Sequence, residues 1–156
     1  MKKIKIIILM AILTAGAGIN AQDKNNQMFI ESQSRYGFEE TVNKLNEMIS
    51  GDGWKVLIVH DLQASLKKHN FDVLPVSVFE ICNPKYSSKL LDKDELRIYS
   101  SLMPCRFSVY VKTDGKTYIS RMNSSMLAEN IGGLVEEVMT QAINDMEKYL
   151  EQVIAK

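Results

Sequence analysis

Two periods of apolar residues divide this chain into elements. Met28 and Ile30, two positions apart, predict a first, edge strand. Phe38, Val42, Leu45 and Ile49 recur at helical spacing, with Glu39 and Glu40 in the first turn, where the helix dipole favours acids. Gly51-Asp52-Gly53 predicts the end of that helix, because glycine adopts the left-handed conformation of a C-terminal cap. Residues 54–60 (Trp-Lys-Val-Leu-Ile-Val-His) form a β-branched-rich strand, and Asp61 is placed to cap a short helix over 62–68. Beyond Pro75 a second strong strand runs from Val76 to Cys82. Pro84 then suits the first position of a helix, where its missing N–H costs nothing, and this helix is expected to turn Tyr86, Leu90 and Leu91 to the core.

The strongest hairpin follows. Phe107, Val109 and Val111 alternate with Ser108, Tyr110 and Lys112, and Asp114-Gly115 turns the chain into a strand over 117–122. Asn123 can cap a short helix containing Met126 and Leu127, which Gly132-Gly133 interrupts. A long amphipathic helix closes the pattern, with Leu134, Val135, Val138, Met139, Ala142, Ile143, Met146, Leu150 and Val153 on one face. That stripe reads as core, with a homodimer face as its alternative.

The order β-α-β-α-β-α-β-β-α-α predicts an α+β fold: a mainly antiparallel sheet with helices packed on one face and a long C-terminal helix. No glycine-rich loop follows a strand, so a dinucleotide or P-loop fold has no support. The two most apolar strands, 76–81 and 106–111, are expected to pair antiparallel in the middle of the sheet, where coverage is greatest. The competing arrangement places residues 54–60 between them.

The N-terminus changes the picture of charge and address. Residues 1–21 have the three parts of an export signal: Lys2, Lys3 and Lys5, an apolar run from Ile6, and small residues before Asn20-Ala21. The run is broken by Thr, Ala and Gly before the roughly 20 apolar residues a membrane span needs. This predicts a periplasmic or secreted protein with no membrane anchor after signal removal. A polar leader, 22–27, precedes a single domain, 28–156. Losing three of the 19 basic residues while keeping all 19 acids leaves a net charge of −3. Nucleic-acid affinity rests largely on Lys and Arg neutralising phosphates, and no basic patch is present, so no nucleic-acid partner is expected.

Export also sets the chemistry of the only two cysteines. Ile81-Cys82-Asn83-Pro84 ends one strand and Met103-Pro104-Cys105-Arg106 begins the next. Antiparallel pairing would bring both thiols to one rim, near the Cα separation of about 5.5 Å that a disulfide prefers. A Cys82–Cys105 bridge would be worth about 3 kcal/mol by chain entropy. Three readings stay open: a disulfide, two buried unpaired thiols, or a redox or ligand-contacting site in which Arg106 lowers a thiol pKa. The candidate binding residues are Cys82, Asn83, Pro84, Pro104, Cys105 and Arg106; the prolines would stiffen the mouth, or simply punctuate loops. Met103, Met122 and Met126 could approach the thiols, and thioether with thiolate suits Cu(I). No tight Met-x-Met or Cys-x-x-Cys spacing exists, and His60 and His69 lack ligand spacing, so no metal or other cofactor is expected. No G-x-S-x-G phrase occurs, and His60 and Asp61, as strand neighbours, point apart. No catalytic residue is assigned.

With these residues in view, the chain resembles the domain of unknown function 302 family over residues 38–139. The resemblance rests on Thr41-Val42 with Leu45, Asp61, Glu80-Ile81-Cys82-Asn83-Pro84, Leu102-Met103-Pro104-Cys105-Arg106, Phe107-Ser108-Val109-Tyr110 and Ser120-Arg121-Met122-Asn123. It implies a compact α+β domain, often dimeric, with no established activity. Family members commonly carry glycine before Asn-Pro and an apolar residue after Leu-Pro, whereas a subset has cysteine at both positions, as here. That joint occurrence implies that Cys82 and Cys105 are close in space. Two functions follow as expectations: a non-enzymatic module that binds a small ligand or a protein, with a second copy of itself as partner, or a thiol-dependent redox protein or sensor using Cys82 and Cys105.

Overall fold

Alternating β-branched and aromatic residues build five strands, and amphipathic stretches build the helices that cover them. The computed structural model describes residues 28–51 and 53–156. The expected signal, the polar leader and Asp52 of the helix-ending turn lie outside the described residues. In chain order the elements are β1 (Phe29–Gln33), α1 (Phe38–Met48), β2 (Lys55–Asp61), α2 (Leu62–Lys67), β3 (Val76–Cys82) and α3 (Pro84–Leu91). A 3-10 helix (Asp94–Leu102) follows, then β4 (Cys105–Val111), β5 (Thr117–Met122), α4 (Ser124–Ile131) and α5 (Gly133–Leu150).

The strands form one antiparallel sheet in the order β1-β5-β4-β3-β2. The pairing of β3 with β4 holds as expected, and β2 lies at the edge rather than between them. Side-chain alternation sends Ser77, Phe79 and Ile81 of β3, Phe107 and Val109 of β4, and Thr117, Ile119 and Arg121 of β5 to the buried face. Phe79 and Phe107 are direct cross-strand partners and stack with centroids 4.7 Å apart. Such a pair adds about 0.5–1.5 kcal/mol beyond the area it buries.

Leu45 and Ile49 at the end of α1, Leu90 of α3, and Val135, Val138, Ala142, Met146 and Leu150 of α5 close over that face. The α5 stripe is therefore core. Arg121, only 7 % exposed, ties the layers together: Nε and Nη2 donate to both carboxylate oxygens of Glu147 at 2.6 and 2.7 Å, and Nη1 donates to Ser32 Oγ. A bidentate pair of this kind fixes orientation as well as charge.

One core expectation fails. Leu91 is 37 % exposed. Tyr86 and Leu90, four residues apart, define the buried line of α3, and the next residue is rotated about 100° away from it.

Candidate functional site

The rim where β3 ends and β4 begins opens into a cavity of ≈ 180 Å³ between the sheet and the helices. Its walls come from both ends of the sheet rim, from α3 and the 3-10 helix, and from α5. Five of the six residues expected at the mouth line it: Cys82, Asn83, Pro104, Cys105 and Arg106. Pro84 does not; it is exposed at the first position of α3, where its role is to start the helix.

Asn83 is 4 % exposed and caps α3, its Oδ1 accepting from Lys85 N at 3.0 Å. The loop before β2 packs on this cap: a Cβ at Gly53, where φ is +84°, would come within 3.2 Å of Asn83 Oδ1. Glycine is thus required twice over, by the left-handed backbone and by the close approach.

The cysteines are neighbours but are not joined; both are free thiols. The disulfide, one of the three readings left open by the sequence, is absent for a reason of register. Cys105 lies opposite Ile81, one residue short of Cys82, and consecutive side chains leave a strand in opposite directions. Cys82 Sγ lies instead 3.8 Å from Ser87 Oγ on the first turns of α3. Burial, and after it the neighbouring Cys82, pushes the Cys105 thiol up to about 11. The lowering expected from Arg106 does not occur, because Arg106 follows Cys105 on the strand, points the other way and is exposed.

Beside the cavity, the lining residue Tyr86 reaches a partly exposed ion pair. The Tyr86 hydroxyl donates a short hydrogen bond to Asp145 Oδ2, and Lys148 Nζ donates to Asp145 Oδ1 at 2.8 Å. The bond to Asp145, with burial, pushes Tyr86 up to about 12, and Lys148 followed by Tyr86 holds the Asp145 carboxyl below its usual range. Trp54 packs against Tyr86 at 5.9 Å between centroids. Its buried Nε1–H makes no well-formed hydrogen bond among the described residues, although its dipole still favours the Asp145 carboxylate slightly.

The remaining lining is mostly apolar and includes Met103, Met122, Met139 and Met146 with Ile81, Leu90, Leu102, Leu127, Val138 and Ile143, alongside Ser87, Tyr99, Ser101 and Ser124. Met126 is not among the lining residues. Sequence reasoning missed Trp54, Met139 and Met146 as cavity residues, because all three sit in patterns that read equally well as core. No three of His, Cys, Asp and Glu converge among the described residues.

Three comparisons bear on this chain. Residues 30–155 match the profile of a domain of unknown function, DUF302, a wider span than the sequence motifs suggest. The crystal structure of an uncharacterized conserved DUF302 protein from Bacillus stearothermophilus superposes with a TM-score of 0.64. The two chains are 25 % identical over 81 % of this chain and 94 % of the other. No curated protein matches.

Proposed function

The chain belongs to the DUF302 family, and from that premise we propose that it is a non-catalytic binding module holding a small, largely apolar ligand at the sheet rim. One observation carries this reading: the two cysteine phrases, far apart in sequence, converge on one cavity whose walls are mostly aliphatic, aromatic and thioether. Its ≈ 180 Å³ is below the roughly 300–1,000 Å³ of drug-sized pockets but above the 150 Å³ that suffices to take up benzene. The ligand is therefore of small-arene size. Thiol exchange is the weaker reading, because a nucleophilic cysteine needs a lowered pKa and Cys105 is pushed upward.

Export through residues 1–21 would place the module in the periplasm or outside the cell, supported by the positive, apolar and small-residue segments of that stretch. A second copy of the chain is the proposed protein partner.

Benzene is a suitable probe of the cavity. A ligand that binds only the folded state raises the melting temperature in proportion to ln(1 + [L]/Kd). Benzene is expected to raise Tm and to change the fluorescence of Trp54, the only tryptophan and a lining residue. Ala142→Phe, which fills the cavity from α5, should abolish both effects while preserving the far-UV circular dichroism. Identical responses in the two proteins would remove the site assignment. Native mass spectrometry of the protein purified without denaturation would identify a retained ligand.

A further inference from the structure

The walls of the cavity differ from those of a purely aliphatic core. Four of the seven methionines within the described residues line it, and three of them, Met103, Met139 and Met146, belong to the hydrophobic core or pack against it. Met103 lies on the loop before β4, and Met139 and Met146 stand two turns apart on α5. The aromatic residues Trp54, Tyr86 and Tyr99 border the same space from just before β2, from α3 and from the 3-10 helix. These positions come from separate parts of the chain, and the fold alone assembles them.

Aliphatic walls hold a ligand in proportion to the apolar area they cover, whether its ring is flat or saturated. Thioether and aromatic walls discriminate. Methionine sulfur is polarizable, and its contact with an aromatic ring is worth roughly two- to tenfold in affinity. Aromatic side chains likewise favour an aromatic neighbour, offset or edge-on, beyond the area it buries. The rotatable bonds of methionine let these walls follow the flat outline of such a ring. Charge narrows the class further. Among the described residues lining the cavity, Arg106 alone is charged, and it is exposed on the other side of its strand. The hydroxyls of Ser87, Ser101 and Ser124 donate to the backbone oxygens of Asn83, Ile98 and Met122. Burial keeps the Cys105 thiol protonated at neutral pH, so the interior offers no counter-charge to an ionised ligand. An ion taken out of water without a partner is strongly disfavoured.

We propose that the ligand of this cavity is a neutral aromatic ring of benzene size, with Met103, Met139 and Met146 as the residues that distinguish it from a saturated ring of the same carbon number. The proposal rests on the binding-module reading and names the ligand class of that same site. It separates two kinds of residue within the walls. The aliphatic side chains set how much apolar area any ligand buries, and the methionines set which of two rings of equal carbon number is preferred.

The test compares the dissociation constants of benzene and cyclohexane, read from the rise in Tm and from the fluorescence of Trp54, the only tryptophan. The two ligands are titrated into the parent and into Met103→Leu/Met139→Leu/Met146→Leu, which conserves volume. The parent is expected to bind benzene about tenfold more tightly than cyclohexane, and the triple variant to lose about tenfold of that ratio at unchanged far-UV circular dichroism. Met139→Leu alone, at a half-buried position, should lose about twofold, and it carries the test if the triple variant fails to fold. Benzoate at the same concentration should not displace benzene. An equal benzene-to-cyclohexane ratio in the parent and the methionine variants would overturn the role given to the thioethers. Cyclohexane binding as tightly as benzene to the parent would overturn the aromatic class and leave the cavity reading standing. Displacement of benzene by benzoate would overturn the neutral class. Binding of neither hydrocarbon would remove the cavity reading itself, and this proposal with it.

Discussion

At the scale of single residues, the cysteines show what spacing can and cannot tell. Their convergence on one rim was legible, because strand ends 76–82 and 105–111 can meet only at one end of an antiparallel pair. Their redox state was not, because it depends on a one-residue stagger that no sequence pattern records. The same stagger buries Cys105 and leaves Arg106 outside, so the local field favours a protonated thiol. The folded-state pKa lies above the unfolded value of 9.0, at about 11. The resulting stability contribution is full below the unfolded pKa and is lost as pH rises from 9.0 through about 11. A two-unit rise cuts the thiolate fraction at pH 8 by about 100-fold, while higher basicity restores roughly tenfold in nucleophilicity. Iodoacetamide should therefore alkylate Cys105 in the native protein about 10-fold more slowly than in urea at pH 8, before any shielding by the walls. Peptide mapping after timed quenching measures this. A native rate equal to or above the unfolded rate would revive the redox reading.

At the scale of elements, periodicity was a faithful guide wherever one face of a segment is wet. Val76–Cys82 and Thr117–Met122 have the expected bounds, and Asp61 does cap α2 through a 2.8 Å bond from Ala64 N. The segment Asp94–Leu102 went unread as an element because its half-buried residues, Leu96, Tyr99 and Leu102, recur every three positions. That is the period of a 3-10 helix, not of the 3.6-residue helix sought. The Gly132-Gly133 break was legible, and the structure supplies its reason. Gly132 has φ +77° and ψ −176°, a region open essentially to glycine alone, while nothing lies within 4 Å of where a Cβ would stand. The cost of substitution is thus backbone strain without collision. Gly132→Ala should destabilise the protein by about 1–3 kcal/mol, lowering the urea midpoint with an unchanged m-value. An unchanged midpoint would show that α4 and α5 can meet through another backbone geometry.

At the scale of the whole molecule, the core leaves more than one apolar group uncovered: Met28, Phe29 and Met122 at the β1 edge, and a longer run on β2, α2 and the loop after it. Leu57, Ile58, Leu62, Leu66, Phe71, Val73 and Leu74 are all exposed, Phe71 by 63 %, and they fall within residues 57–74. β2 is an edge strand whose register shifts between Val56 and Ile58, which blunts strand addition, and α2 buries no residue at all. Leu62 and Leu66 of this helix stay partly exposed although α2 packs beside β3. Exposed apolar residues gathered in one stretch of chain are candidates for an interaction surface. The charges within 57–74 balance, Asp61 and Asp72 against Lys67 and Lys68, so two copies of the patch do not repel and a strongly charged partner gains nothing from it. These features fit an isologous contact, in which the same surface meets itself across a twofold axis. The α5 stripe, the other dimer face weighed from sequence, is filled by the core. Sedimentation velocity should therefore find a dimer for the parent. Leu66→Glu/Phe71→Glu, whose side chains are already exposed, should give a folded monomer with undiminished benzene binding, since the patch and the cavity involve different residues. A parent that remains monomeric at high concentration would exclude the second copy as partner. A double variant that still dimerises would move the interface elsewhere.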